Sequence, residues 1–112
     1  MTFDEYQKEA LKTDHSVGSA TVSDQFFAIV LGLAGEIGEV SEKFKKIYWH
    51  KKGEWDDENK KEIAKELGDI LWYISSLANH TGIPLEEIAK NNIEKLRSRV
   101  ERGVHLGWGD NR

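Results

Sequence analysis

The sequence contains no cysteine, one proline and no long hydrophobic run. Without cysteine there is no disulfide, thiol nucleophile, zinc–thiolate site or iron–sulfur cluster. No apolar stretch approaches the roughly 18 residues of a membrane-spanning helix, and the first residues do not resemble a signal or transit peptide. Basic residues are not in excess either, since 16 Lys and Arg stand against 20 Asp and Glu. We therefore expect a cytoplasmic protein that binds neither a membrane nor a nucleic-acid polymer.

The length of 112 residues favours one domain. Hydrophobic residues at 38% and charged residues at 32% are typical of a globular but charge-rich chain. A chain of this size buries roughly two-thirds of its extended surface, which is enough for one modest core. Association with further copies of the chain is consistent with this composition.

Apolar residues recur at helical spacing in four segments. The predicted helices cover about residues 3–13, a long segment from Ser23 or Asp24 to about Lys52, a third from Asp56 or Asp57 to about His80, and a fourth from Leu85 to just before Gly103. In the second helix the expected buried seam is Phe26, Val30, Leu33, Ile37, Val40, Phe44 and Ile47. The fold class is therefore all-α, a bundle of about four helices completed by oligomerisation, with the domain over residues 1–103 and a flexible tail over 104–112.

Two pairs of carboxylates stand out on the second and third helices. Glu36 and Glu39 are three residues apart, as are Glu66 and Asp69, so each pair lies on one side of its helix. Antiparallel packing of the two helices would bring four negative charges to one edge of their interface, where a cation must neutralise them. Oxygen ligands without cysteine favour Mg²⁺, with Mn²⁺ as a possible substitute. The alternative is an ordinary solvated face with salt bridges.

The predicted second helix contains glycine at positions 32, 35 and 38. Each costs about 1 kcal/mol relative to alanine. Gly32 and Gly35 lie on the glutamate face, which indicates close approach of a ligand or another backbone. Plain contact between two helices is the alternative.

Several polar and aromatic residues are candidates for binding phosphate or nucleotide. On the fourth helix Asn92, Lys95 and Arg99 follow one edge of the apolar stripe, although helical spacing alone favours an ordinary solvated face for them. The other candidates are Lys43, Lys46 and Tyr73.

The remaining residues are given no chemical role. The four histidines are treated as surface residues, and Phe27, Trp49 and Trp72 as core. No Ser-His-Asp set is recognised.

Three segments together resemble the MazG-type nucleoside triphosphate pyrophosphohydrolases. They are Gly32-Leu33-Ala34-Gly35-Glu36-Ile37-Gly38-Glu39-Val40-Ser41-Glu42-Lys43, Lys65-Glu66-Leu67-Gly68-Asp69-Ile70-Leu71-Trp72-Tyr73 and Asn92-Ile93-Glu94-Lys95-Leu96-Arg97-Ser98-Arg99. The family pattern is Glu-x-x-Glu, a spacer, then Glu-x-x-Asp, and all four carboxylates are present here. The similarity extends over about residues 3–103.

The resemblance implies Mg²⁺-dependent hydrolysis of a nucleoside or deoxynucleoside triphosphate to the monophosphate and pyrophosphate, in a dimer or tetramer. It makes Glu36, Glu39, Glu66 and Asp69 the metal ligands, and it matches Asn92, Lys95 and Arg99 to positions that meet the phosphates. Glu39 is our candidate for the general base.

Three alternatives remain open from the sequence. The substrate could instead be phosphoribosyl-ATP or one narrow nucleotide such as dUTP or dCTP. The chain could be a non-catalytic module that binds metal or only oligomerises. A ferritin-like di-iron bundle fits less well, because it requires Glu-x-x-His pairs.

Overall fold

A computed structural model describes residues 1–16, 22–104, 107 and 109. These residues form four helices: α1 (Phe3–Leu11), α2 (Asp24–His50), α3 (Asp57–Thr81) and α4 (Leu85–Glu101). No strand occurs in this part of the chain, so the predicted all-α class is confirmed. Most of the predicted tail and of the loop before α2 lies outside the described residues.

The helix ends follow local sequence signals. Thr2 and Glu5 form a reciprocal capping box at the start of α1. The side chains of Ser23 and Asp56 each accept a hydrogen bond from a backbone amide three residues further on, which caps α2 and α3. Gly82 ends α3 in the left-handed conformation at φ 72°. Observed ends lie within about two residues of the predicted ones.

Helices α2 and α3 run antiparallel and pack along much of their length. The ring of Phe26, near the start of α2, lies 3.9 Å between centroids from His80, near the end of α3. Further along, Lys43 of α2 contacts Glu62 near the start of α3. This antiparallel register brings the two carboxylate motifs to the same level of the helical pair.

Helices α1 and α4 pack on α3 and on each other, and α4 does not pack on α2. Gln7 of α1 connects these elements, because its amide group donates to Asn79 Oδ1 at 2.8 Å and accepts from the Leu85 amide at 2.9 Å. The middle of α1 is thereby fixed to the last turns of α3 and to the first residue of α4.

Much of the predicted core is exposed in the single chain. In α2, Ile47 is buried, but Val30, Ile37 and Phe44 of the same seam are exposed. Phe27 and Trp49, which we expected in the core, are exposed as well. The reason is geometric, since α3 covers one side of α2 and neither of the other two described helices packs on it.

The molecule is also more extended than a closed domain of its size. Its radius of gyration is 17.1 Å, against about 13 Å for a compact domain of 112 residues. Its accessible surface is 8415 Å², whereas a compact monomer of this mass exposes roughly 6,300 Å². None of the described helices is both long and apolar enough to cross a membrane.

Candidate functional site

Three of the four predicted carboxylates meet between α2 and α3. Glu36 of α2 and Glu66 and Asp69 of α3 each offer an oxygen atom, and these atoms lie within 4.8 Å of one another. Glu36 and Glu66 are half-buried and Asp69 is exposed. We refer to these three residues as the carboxylate cluster. They converge because the antiparallel register places the two motifs opposite each other.

Glu39, the fourth predicted ligand, stands apart from the carboxylate cluster. It lies one turn beyond Glu36 on α2 and is exposed. Its charge nevertheless reaches Glu36 and contributes to the raised pKa of that carboxyl group.

The electrostatics of the cluster favour a bound cation. Burial raises the pKa of Glu36, and contact with the Glu66 carboxyl group and the charges of Asp69, Glu66 and Glu39 raise it further. Like charges at a half-buried interface repel each other unless a cation lies between them. Because the donors are all carboxylate oxygens, the set fits a hard divalent ion such as Mg²⁺ or Mn²⁺.

Lys43 is held by carboxylates rather than exposed to an open surface. Its Nζ lies 3.0 Å from Glu66 Oε1 and 3.0 Å from Glu62 Oε2. Hydrogen bonds to Glu66 and Glu62 raise the pKa of Lys43, and the hydrogen bond from Lys43 lowers the pKa of Glu62. Glu62 was not among the predicted site residues, although it precedes Glu66 by one helical turn and so shares its face.

A cleft of about 230 Å³ opens beside this ion pair, between the end of α2 and the start of α3. The predicted residue Lys46 lines it, and so does Lys51, whose Nζ donates to Asn59 Oδ1 at 3.0 Å. Its full lining is Lys43, Lys46, Ile47, Lys51, Asn59, Glu62 and Ile63. We call it the lysine cleft. Three ammonium groups beside a carboxylate cluster form a surface suited to an anion bound together with a metal ion.

Tyr73 packs against Gly32. A Cβ atom added to Gly32 would lie 2.6 Å from the Tyr73 hydroxyl oxygen, so a larger residue there would require the ring to shift. The predicted close approach at Gly32 is thus made by a side chain. At Gly35 no described residue beyond the adjacent backbone of the helix lies within 4 Å of the corresponding position. Tyr73 also meets Trp72 edge to face, with ring centroids 5.1 Å apart.

The three candidates on α4 are placed apart from the other site residues. Asn92 and Lys95 are exposed, and Arg99 is 5% exposed and buried. Within the described parts of one chain, none of the three belongs to the carboxylate cluster or lines the lysine cleft.

A buried polar network was missed by the sequence analysis. Asp14 accepts hydrogen bonds from the Ser16 hydroxyl and amide and from the Ser76 hydroxyl, at 2.6 to 2.9 Å. Ser16 Oγ in turn lies 2.7 Å from His80 Nε2. Because the Ser16 proton goes to Asp14, the imidazole Nε2 donates to Ser16.

This network corrects the surface assignment of His80, which is half-buried. It also brings Ser, His and Asp together, but Asp14 contacts the serine rather than the histidine. The arrangement is therefore not that of a nucleophilic triad. Burial alone would raise the pKa of Asp14, and the hydrogen bonds from Ser16 and Ser76, with the nearby His80, outweigh it and hold the pKa below its usual value.

Comparison with known proteins identifies one relative over most of the chain and another over a shorter part of it. "Gene 37 protein" of Mycobacterium phage L5 is 44% identical over 84 residues, which is 75% of this chain and 74% of that protein. "Uncharacterized protein YvdC" of Bacillus subtilis (strain 168) is 41% identical over 44 residues, or 39% of this chain and 42% of that protein. No solved structure gives a significant match. The family profile described as MazG nucleotide pyrophosphohydrolase domain matches residues 25–104, and the chain therefore belongs to the MazG nucleotide pyrophosphohydrolase family.

Proposed function

We propose that this protein hydrolyses nucleoside or deoxynucleoside triphosphates to the monophosphate and pyrophosphate, and so removes nucleotides from the cytoplasmic pool. The observation that carries the proposal is the convergence of Glu36, Glu66 and Asp69 from two helices. We assign metal binding to these three and to Glu39, with Mg²⁺ as the natural ion and Mn²⁺ as a substitute. Residues 1–103 form the proposed hydrolase domain, and 104–112 the proposed tail.

The proposed reaction is attack of water on the α-phosphorus. The new bond joins the water oxygen to phosphorus, the bond to the bridging oxygen of the β-phosphate breaks, and pyrophosphate leaves. A bound divalent ion would neutralise phosphate charge and activate the water. Glu39 is exposed one turn from Glu36, and as the general base it would accept the proton of the water.

The lysine cleft supports the placement of a phosphate chain next to the carboxylate cluster. Lys43 and Lys46 both line it, and their ammonium groups would hold phosphate oxygens by charge-assisted hydrogen bonds. Tyr73 remains our candidate for contact with the nucleoside. Asn92, Lys95 and Arg99 remain phosphate-binding candidates, and because α4 does not pack on α2 we assign them to a site completed between copies of the chain.

We also propose that the protein is a homo-oligomer, a dimer or a tetramer. Its surface exceeds that of a compact monomer by roughly 2,000 Å². An interface of standard size buries about 1,600 Å² in total. The exposed apolar residues of α2 and α4 provide the surface for such an interface.

The experiment that tests the reaction is release of pyrophosphate from a panel of ribo- and deoxynucleoside triphosphates, with Mg²⁺ and with EDTA. We expect monophosphate and pyrophosphate with Mg²⁺ and no product with EDTA. Turnover confined to phosphoribosyl-ATP, dUTP or dCTP would narrow the substrate. A folded protein that binds Mg²⁺ but converts none of these substrates would support the non-catalytic alternative.

Replacement of a proposed ligand gives a second test. We expect Asp69→Asn and Glu39→Gln each to lower the rate of pyrophosphate release by about 100-fold or more, because ligand and proton acceptor are lost. Circular dichroism should show unchanged helix content. Glu42→Gln is the matched control, since Glu42 is an exposed carboxylate on the same helix that pairs with Lys45. Wild-type rates in Asp69→Asn would show that the site is elsewhere.

A further inference from the structure

Lys43 occupies an unusual position among the ion pairs of the chain. It joins α2 to α3 and contacts two carboxylates at the same distance of 3.0 Å, Glu62 on one side and Glu66 on the other. The Glu66 side chain is 15% exposed and that of Lys43 is 27% exposed. By contrast, Lys45 and Glu42 are three residues apart on α2 and are 64% and 58% exposed.

The contact with Glu66 sets Lys43 in competition with a metal ion. Glu66 belongs to the carboxylate cluster, and one of its oxygens, Oε1, is already paired with the lysine ammonium. A divalent ion bound by the cluster would therefore have a fixed positive charge as a close neighbour. One unit charge at this range changes the affinity for a divalent ion several-fold even when water screens it.

The effect of Glu62 on metal binding is opposite to that of Lys43. It lies outside the carboxylate cluster but binds the same ammonium group from the other side. When a divalent ion takes the oxygens of Glu66, Lys43 retains a carboxylate partner in Glu62. The lysine is therefore neither left unpaired nor driven further toward the ion.

We propose that Lys43 is a built-in counter-cation that weakens binding of a free divalent ion to the carboxylate cluster, and that Glu62 is the positioning residue that draws Lys43 away from Glu66. This inference rests on the proposed metal site. It makes the two residues opposing determinants of metal affinity. Before a metal ion binds, Lys43 supplies part of the positive charge that keeps the two helices together.

The test measures binding of Mn²⁺ to the full chain without nucleotide, from the electron paramagnetic resonance signal of the free ion. We expect Lys43→Gln to tighten Mn²⁺ binding by about 3- to 10-fold. Glu62→Gln should weaken it by about 2- to 5-fold, because Lys43 is then held by Glu66 alone. Lys43→Arg keeps the charge and should bind Mn²⁺ like the wild type.

The matched controls are Lys45→Gln and Glu42→Gln, which remove the same charges from an exposed pair on α2. Both should change Mn²⁺ affinity by less than about 2-fold. Unchanged or weaker binding in Lys43→Gln would overturn the proposal, as would equal effects of Lys43→Gln and Lys45→Gln. If Lys43→Gln does not fold, the Mn²⁺ affinity of Glu62→Gln tests the proposal instead. An unchanged affinity in that variant contradicts the proposed role of Glu62.

A second readout is thermal unfolding with EDTA and with Mn²⁺. Removal of Lys43 leaves Glu62 and Glu66 unbalanced, so the rise in Tm on adding Mn²⁺ should be larger in Lys43→Gln than in the wild type. Failure of the proposed hydrolysis can be distinguished from failure of the Lys43 proposal. In the first case the wild type releases no pyrophosphate, but the order of Mn²⁺ affinities among the variants stays as expected. If neither the wild type nor any variant binds Mn²⁺, the inference and the metal site are both wrong.

Discussion

Single residues in α2 differ sharply in how much space surrounds them. Gly32 and Gly35 both lie inside α2. The Tyr73 ring lies against Gly32, whereas no described neighbour outside the backbone of the helix comes within 4 Å of a Cβ position at Gly35. The helical cost of glycine is the same at both positions. The two positions therefore differ only in what a new methyl group would contact.

Alanine at these positions should have effects of opposite sign. We expect Gly35→Ala to raise the free energy of unfolding by up to about 1 kcal/mol, because helix propensity improves without a clash. Gly32→Ala should lower it by about 1 to 3 kcal/mol, because the Tyr73 ring must move. Urea unfolding with EDTA measures both. Stabilisation of Gly32→Ala would mean that the ring has room to shift.

The Asp14 network holds the segment after α1 against α3. Asp14 and Ser16 follow α1 in the chain, whereas Ser76 and His80 belong to α3. A further bond from Trp72 Nε1 to Thr13 Oγ1, at 2.9 Å, supports the same contact. These bonds lie between elements, so their loss should loosen the packing of α1 rather than the helices themselves.

The network should make stability depend on pH in a defined window. Because the folded state holds the pKa of Asp14 below its ordinary value of 3.8, its contribution is complete above that value. The contribution of Asp14 to the free energy of unfolding is lost as the pH falls below this ordinary value and through the lower pKa of the folded state. Asp14→Asn should therefore cost about 2 kcal/mol at pH 7 and less at pH 3, measured by urea unfolding.

Asp57→Asn is the matched control for this measurement, since its carboxylate is 94% exposed. This substitution should change the free energy of unfolding little at either pH. An equal loss for Asp14→Asn at pH 7 and pH 3 would show that the charge of Asp14 contributes nothing to the network.

The helices were predictable because their signals are local. Capping residues such as Ser23 and Asp56, and the left-handed Gly82, act within one turn of the chain. The convergence of Glu36 with Glu66 and Asp69 was also predictable, since helical spacing and antiparallel packing are enough to bring the two motifs together.

Other features depend on contacts that spacing does not specify. The Asp14 network joins residues about 60 positions apart, and no periodic pattern marks the serine and histidine partners. The pairing of Lys43 with Glu62 and Glu66 depends on the exact register of α2 against α3. Exposure of Val30, Ile37 and Phe44 was not predictable, because apolar spacing does not tell whether another helix of the same chain packs over a residue.

Helix α4 presents an apolar stripe that the described residues of its own chain leave largely exposed. Ile93, Leu96 and Val100 are 47%, 45% and 60% exposed. They follow helical spacing along one side of α4. Such a stripe is typical of a face that packs against another helix.

We expect Leu96→Asp to weaken self-association by at least about tenfold, or 1.4 kcal/mol, because a charge would enter the apolar stripe. Sedimentation velocity over a range of protein concentrations measures this. Asn91→Asp adds a charge on the opposite side of α4 and should leave the sedimentation coefficient unchanged. Equal behaviour of the two variants would place the interface elsewhere, with the exposed residues of α2 as the next surface to test.

The short connection between α2 and α3 affects whether the helical pair forms before or after two copies of the chain associate. Residues 51–56 form the short connection between the two helices, and contacts across short connections form within microseconds to milliseconds. Encounter of two copies is slower when protein is dilute, because it depends on concentration. We therefore expect each chain to form the carboxylate cluster before it meets a second copy. At nanomolar concentrations the protein should still take up metal ions as single chains.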